Sequence, residues 1–308
     1  MIKIGIIGMS PGNGHPYSWS AIINGFFDGK EITEVGEYPG ITAYLNSNKD
    51  TLGIHEATVT HIWCQKRSMS ESIAKATKIE FVVDNLEDMI GQVDAVILSR
   101  DDPENHVSMA RPFINAGIPI FIDKPLAATT EDLAYFSEQV ANGKLIVSCS
   151  SMRYATEART AKNEFALLGP LELAIAVGKK DWIRYGVHML EALFMLLDDP
   201  LPVAVTHIGK DKKDIVCVEF ENGFKATIHL FMDISPTFQI SIFGQQGWRL
   251  IEMKNSYSMF RDNIIEFIRS VREGKSLLDF YKTERIIRTL IAATDSLKQN
   301  GKIIHLTH

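Results

Sequence analysis

Cysteine is scarce in this chain: Cys64, Cys149 and Cys217 are the only three in 308 residues. They are scattered and odd in number, which argues against a disulfide scaffold and fits reduced thiols in a cytoplasmic protein. Long apolar runs are also missing. No stretch approaches the roughly 20 residues that a membrane-spanning helix needs. Excess positive charge is absent: the formal net charge is −6, so nothing electrostatic favours nucleic acid or an anionic membrane. A strand begins at once at residues 3–7, leaving no room for a signal peptide. There is no nucleophile elbow and no phosphate loop ending in Gly-Lys-Ser/Thr. His55, His61 and Cys64 could suggest a metal, but alternation along 58–63 sends neighbouring side chains to opposite faces and no closing ligand pair follows at a known spacing, so no metal site is expected.

What remains is an ordinary globular composition, 45% hydrophobic and 23% charged, in a chain long enough for two domains. Over residues 1–150, short apolar strands alternate with helices: strands at 3–7, 58–63, 81–83, 95–98, 118–122 and 145–148, helices at 68–77 and 130–142, and a short one at 86–90. That alternation predicts a doubly wound parallel sheet. Residues 28–56 show weak periodicity and Gly, Pro and Asn punctuation, and read as an inserted loop or flap. After residue 150 the pattern changes. A helix at 156–168 and a strand at 172–177 precede a helix at 187–197. Strands at 203–208, 215–220, 225–231, 239–243 and 248–251 follow, then helices at 263–272 and 283–299. The second domain, 151–308, is therefore expected to be α+β, with a mostly antiparallel sheet and helices on one face.

Four constellations could carry chemistry. The first is the glycine loop after the first strand, Gly8-Met9-Ser10-Pro11-Gly12-Asn13-Gly14, which leads into a helix. Strand, glycine loop and helix together bring a pyrophosphate to a helix N-terminus. The G-x-G-x-x-G spacing is not met, because Ser10 stands at the second position and Gly12 and Gly14 lie in an extended loop. The second is the end of the second strand. An acid is usual there for ribose hydroxyls, but the chain offers Cys64-Gln65-Lys66-Arg67. Lys66 or Arg67 would suit a 2′-phosphate, or they form a solvated basic turn.

The third is Asp123-Lys124-Pro125 at the carboxyl end of a strand, the edge where ligands of open α/β sheets bind. A free lysine, with a pKa of about 10.4, is a poor base near neutrality. Burial or a nearby cation would lower it, and the protonated amine would instead polarise a substrate oxygen. The fourth is 184–191, where Val187, Leu190, Phe194 and Leu197 form an apolar stripe. His188 and Glu191 share another face, and a histidine in a first helical turn near a carboxylate can shuttle protons. Each of these four also has a plain structural reading, as a turn, a surface lysine or a core histidine.

The residues together resemble the Gfo/Idh/MocA family, which includes glucose-fructose oxidoreductase and inositol dehydrogenase. The most specific piece is 94–126: strand, loop with His106, Ala116-Gly117 turn, strand, and Asp123-Lys124-Pro125 where relatives carry Glu-Lys-Pro. Met152-Arg153-Tyr154, Gly186-Val187-His188-Met189-Leu190-Glu191 and 243–248 extend the likeness over nearly the whole chain. The resemblance implies a Rossmann domain binding NAD or NADP. It places the dinucleotide along Gly8, Met9, Ser10, Gly12, Asn13 and Gly14, past Gln65 and Arg67, and against Ser99, Arg100, His106, Asp123, Lys124 and Arg153. It makes Lys124 and His188 the proton-handling pair for a carbinol or ketone on a sugar, cyclitol or related polyol. It also implies a homo-oligomer, dimer or tetramer, built on the open sheet.

Three departures bear on that expectation: the altered glycine loop, the missing acid after the second strand, and Arg184 where many relatives have aspartate. The second tilts the cofactor toward NADP. Arg184 cannot accept a proton but can bind a carboxylate or phosphate bidentately, and Tyr185 is a further donor. The alternative is a non-catalytic sugar- or nucleotide-sensing relative. NAD-assisted glycoside cleavage is a third option.

Overall fold

The computed structural model describes residues 1–306. The chain forms two compact units and does not divide at a single point near 150. The first holds Met1–Ala127, Ala134–Cys149 and Phe260–Phe280; the second holds Ala128–Leu133, Ser150–Met259 and the chain from Tyr281 onward.

The strands of the first unit are β1 (Ile2–Gly8), β2 (Ala57–Cys64), β3 (Phe81–Val82), β4 (Ala95–Leu98), β5 (Ile120–Ile122) and β6 (Ile146–Val147). All pair in parallel, in the order β3-β2-β1-β4-β5-β6. Helices cover both faces of such a sheet, so its central strands read as continuous apolar runs rather than alternating ones. Ile4, Ile6, Ile7, the whole of β4 and the whole of β5 are buried accordingly. The strand order reverses between β1 and β4, which makes the carboxyl ends of those two strands a topological switch point.

Residues 28–56 are not the loop the sequence suggests. They contain a π-helical turn, Glu31–Val35, then α2 (Pro39–Asn46) and a 3-10 turn, Lys49–Thr51. They follow α1 (His15–Asn24) and complete the crossover to β2. Proline opens α2, and Ile41 and Leu45 are its only buried side chains. A helix so short gives too little periodicity to read. The segment is tied down by Glu31, whose carboxylate accepts from Ser72 Oγ at 2.7 Å and Lys75 Nζ at 2.6 Å, both on α3 (Arg67–Thr77). Further along come α4 (His106–Asn115) and α5 (Thr130–Ala141). The expected short helix near 86–90 is a 3-10 turn, Leu86–Met89.

In the second unit α6 (Thr156–Lys162) is shorter than expected, and a 3-10 turn, Phe165–Leu168, replaces its second half. Then follow β7 (Leu171–Lys179), α7 (Trp182–Leu196), β8 (Pro202–His207), β9 (Lys213–Phe220), β10 (Lys225–Phe231), β11 (Phe238–Gly244) and β12 (Trp248–Glu252). The chain closes with α8 (Ser256–Glu273), most of which belongs to the first unit, α9 (Phe280–Lys298) and an unforeseen edge strand, β13 (Ile304–His305).

The seven strands run β12-β11-β7-β10-β9-β8-β13, parallel only where β7 meets β10. Side chains alternate as a one-sided sheet requires. Ala174, Ala176, Val216, Val218, Ile228 and Leu230 are fully buried, whereas Ile175, Val177, Ile215, Cys217, Thr227 and His229 are only half-buried on the other face. That second face also carries Leu173, Trp248 and Leu250, which are 37%, 59% and 53% exposed.

Candidate functional site

The glycine loop is held by the loops that follow β4 and β5. Ser10 Oγ donates to Asp101, and the Asp101 N–H donates back to Ser10 Oγ at 3.1 Å. Asn13 Nδ2 donates to Asp123 Oδ2 at 3.1 Å, and His15 Nδ1 reaches the same oxygen at 2.7 Å. Asn13 Oδ1 accepts the His15 N–H at 2.9 Å. Gly12 takes a φ of +80°, and a Cβ there would meet nothing within 4 Å, so the loop's turn faces open space. Gly14 is different: a Cβ there would come within 2.5 Å of Ile41 Cδ1. Its lack of a side chain makes room for α2 rather than for a ligand. Gly8 closes β1, and the next carbonyl, that of Met9, is gripped from two sides. Gln65 Nε2 donates to it at 2.5 Å and Arg100 at 3.2 Å, while Arg100 also donates to Gln65 Oε1 at 2.9 Å.

Arg100 is buried and closes a fork on Asp102, through Nε at 2.8 Å and a terminal nitrogen at 2.5 Å. Burial pushes the Asp102 carboxyl up, and the Arg100 and Asn105 hydrogen bonds more than reverse this, leaving it lowered. Ser99 Oγ donates to the Ile7 carbonyl at 2.9 Å, joining β4 to β1. Arg67 is exposed and paired with Glu71 and Asp84. His106 is fully buried, and its ring nitrogens face the carbonyls of Leu126 at 3.1 Å and Arg100 at 3.0 Å. It struts the loops after β4 and β5, and burial pulls its pKa down.

At the end of β5, Asp123 is 1% exposed. Burial alone would raise its carboxyl. The neighbouring Lys124 and His15, with hydrogen bonds from His15 and the Lys124 N–H, hold it well below the usual range instead. Lys124 Nζ stands 3.8 Å from Asp101 Oδ2 and 3.9 Å from Asp123 Oδ2. It makes no hydrogen bond among the described residues, so its donors remain uncommitted. The loop, both aspartates and the lysine therefore form one connected network at the switch point.

The second unit brings together a separate group. Helix α7 begins at Trp182, capped by Asp181, whose Oδ1 accepts the Arg184 N–H at 3.1 Å. A start at 187 was expected, so His188 lies in the second turn and not the first. Gly186 hid this, because it reads as a breaker. In fact a Cβ there would press on Trp182 at 2.8 Å and Leu290 at 2.9 Å, so glycine lets α9 approach. Arg184 is exposed. Tyr185 stacks on Phe238 (5.8 Å between centroids) and meets His188 edge-on at 5.0 Å. Lys180 Nζ donates to its hydroxyl at 2.6 Å.

Ser150 links His188 to Glu191. His188 Nδ1 is 2.6 Å from Ser150 Oγ, while Glu191 Oε2 accepts the Ser150 N–H at 3.0 Å. The other Glu191 oxygen binds Arg153 Nε, and the rest of that guanidinium forks onto Asp199 at 2.7 and 3.1 Å. Burial works against the Arg153 charge, and the two carboxylates more than restore it. Arg153 is thus committed within this unit. Sequence reasoning missed Ser150, His15, Asp101 and Lys180. Only His15, next to Gly14 at the head of the helix, carried a readable signal.

A parallel sheet in this order is of the Rossmann type, with a loop and a lysine at its switch point. Residues 32–150 match the Gfo/Idh/MocA model, described as an oxidoreductase family with an NAD-binding Rossmann fold. A stretch of 69 residues is 39% identical to inositol 2-dehydrogenase 1 of Saccharopolyspora erythraea, covering 21% of this chain and 20% of that protein. Similar solved structures cover far more. Myo-inositol 2-dehydrogenase of Lactobacillus plantarum has a TM-score of 0.78 at 14% identity, over 99% of each chain. Scyllo-inositol dehydrogenase of Lactobacillus casei with NAD(H) and scyllo-inositol has a TM-score of 0.75 at 14% identity, over 99% of each chain. At that identity the likeness is one of fold.

The first unit fits such a dinucleotide. The Gly12 turn faces open space next to Ser10 and Asn13, whose side chains are tied to Asp101 and Asp123, so phosphates would meet no side chain there. The helix terminus itself offers less than usual, since the His15 N–H is taken by Asn13 and Pro16 has none.

Proposed function

We propose that the protein is an NAD(P)-dependent dehydrogenase or reductase acting on a CH–OH or ketone group of a sugar, cyclitol or related polyol. The observation that carries this reading is the network ending in Lys124: a lysine with uncommitted donors, fixed by the same carboxylates that fix the glycine loop. When bound, the dinucleotide supplies the hydride carrier. Lys124 and His188 handle the substrate oxygen and its proton, Tyr185 donates a further hydrogen bond, and Arg184 grips an anionic substituent. The test is a panel of cyclitols, sugars and sugar acids with NAD and NADP, read as absorbance of the reduced cofactor. Turnover of at least one polyol is expected; no turnover with any would overturn the reading.

An acidic substrate is proposed because an exposed arginine stands where a carboxylate is usual. A charge-assisted hydrogen bond contributes about 1.5–3 kcal/mol. Arg184→Ala should therefore raise KM for a carboxylated or phosphorylated substrate by roughly tenfold or more and leave kcat nearly unchanged. Unaltered kinetics would remove this part.

NADP is proposed over NAD because Gln65, not an acid, follows β2, with exposed Lys66 and Arg67 beside it. A homo-oligomer, dimer or tetramer, is proposed on the apolar outer face of the second sheet. Trp248→Glu with Leu250→Glu should lower the mass seen by light scattering. Reduced cysteines support a cytoplasmic location. The depleted helix terminus favours a second reading, a non-catalytic nucleotide or sugar sensor. Thermal shifts with dinucleotide in the absence of any turnover would support it.

A further inference from the structure

We propose that Lys180 is a positioning residue of the second unit. Its ammonium fixes the Tyr185 hydroxyl as an acceptor, so that the Tyr185 proton is offered outward to a hydroxyl or carbonyl oxygen of the substrate. That Tyr185 meets substrate rests on the dehydrogenase reading above; the Lys180–Tyr185 arrangement does not.

The first observation is in the backbone. Lys180 lies in the turn between β7 and α7 with a φ of +94°. Six other non-glycine residues among those described have positive φ, all between +53° and +66°. Those values fall in the small left-handed region open to L-residues. Lys180 lies beyond it, in a conformation that persists only where the surroundings impose it. Its N–H is pinned to the Phe231 carbonyl at 3.2 Å. Glycine would take this φ freely, so the turn itself does not call for a lysine.

The second observation is what the side chain touches. Lys180 Nζ lies 2.6 Å from Tyr185 Oη and 4.4 Å from the centre of that ring, and it forms no ion pair among the described residues. The ring is held in turn by Phe238, stacked within 7° of parallel. An ammonium has protons to give and no lone pair to accept with. Lys180 is therefore the donor, and Tyr185 Oη the acceptor. The phenolic proton then has no acceptor among the described residues, and Tyr185 is only half-buried. In the free protein that proton goes to water, and a substrate oxygen takes the place of the water. Hydrogen bonds in a chain polarise one another, so the cation behind Oη strengthens the donor in front of it. Tyr185 keeps its proton throughout.

The test uses the full-length protein. With tyrosine labelled with 13C at Cζ, and Tyr185 assigned by its loss in Tyr185→Phe, the Tyr185 signal should move in Lys180→Met. An unmoved signal would overturn the proposal, with or without turnover. With a polyol that the wild-type protein turns over, Tyr185→Phe and Lys180→Met should each lower kcat/KM by roughly tenfold, the size of one hydrogen bond. The double variant should also lie about tenfold down, because Lys180 acts only through the tyrosine. A loss of about a hundredfold in the double variant, the product of two independent effects, or no loss in Lys180→Met, would overturn the proposal. Lys180→Gly separates this role from a structural one. It should raise the urea midpoint, since glycine relieves the backbone, and lose activity as Lys180→Met does. A lowered midpoint would show that the lysine serves the fold, and would overturn the proposal. A moved signal in a protein without turnover would leave the Lys180–Tyr185 arrangement standing and defeat only the dehydrogenase reading. Turnover with an unmoved signal would do the reverse.

Discussion

The two units hold their charges in opposite ways. In the first, Lys124 stands near two carboxylates without bonding to either, and those carboxylates are occupied by Ser10, Asn13 and His15 of the glycine loop. In the second, Arg153 is closed on both sides by Glu191 and Asp199, and Asp199 is further held by Lys282 at 3.2 Å. An ammonium with spare donors at a sheet edge can still bind something. A guanidinium closed by two buried acids can only brace what surrounds it. Burial and charge are alike at both sites, so the hydrogen-bond inventory is what separates a group with donors to spare from a supporting one.

That contrast can be broken in several places. The largest effect on stability is expected at Arg153. Arg153→Met leaves two buried carboxylates short of a partner, which costs about 3–5 kcal/mol. Urea unfolding should show it as a lower midpoint with an unchanged slope. A loss under 1 kcal/mol would mean that the pair is not the brace described.

The next effect is a pH dependence in the first unit. The folded Asp123 carboxyl titrates below its ordinary value of 3.8, so its ionised form favours folding. That contribution is complete above the unfolded value and is lost as pH falls from there through the folded value. The stability gap between wild type and Asp123→Asn should therefore be widest at pH 5–7 and shrink below pH 4. A gap that stayed constant into acid would refute the assignment. The smallest effect belongs to Arg67, whose ion pairs are exposed and worth about 0–1 kcal/mol. Arg67→Ala should leave stability within that margin and lower the NADP-to-NAD ratio of kcat/KM. No change in the ratio would move the cofactor preference toward NAD.

How much of this was legible differs between the units for a physical reason. In the first, strands buried on both faces announce themselves as apolar runs, and the sheet edge follows from where the runs stop. Lys124 and the glycine loop could therefore be placed from local sequence. Helix α2 could not, because two buried side chains make no periodicity. In the second unit the alternating strands were readable, but the start of α7 was not, since Gly186 looks like a breaker until α9 is seen to need the space. Ser150 carried no local signal at all: its partners, His188 and Glu191, lie about 40 residues away. The family match begins at residue 32, beyond the glycine loop, so the loop's role rests on its own geometry.

The central claim is that the loop–aspartate–Lys124 network both seats the dinucleotide and presents the lysine to the reacting oxygen. Single-turnover hydride transfer in Lys124→Met, measured beside its dinucleotide Kd, tests this most directly. The account predicts a transfer rate lowered by about 10²–10⁴, the range for loss of a proton-transfer group, with Kd within a few-fold of wild type. A transfer rate equal to wild type at saturating cofactor would contradict it.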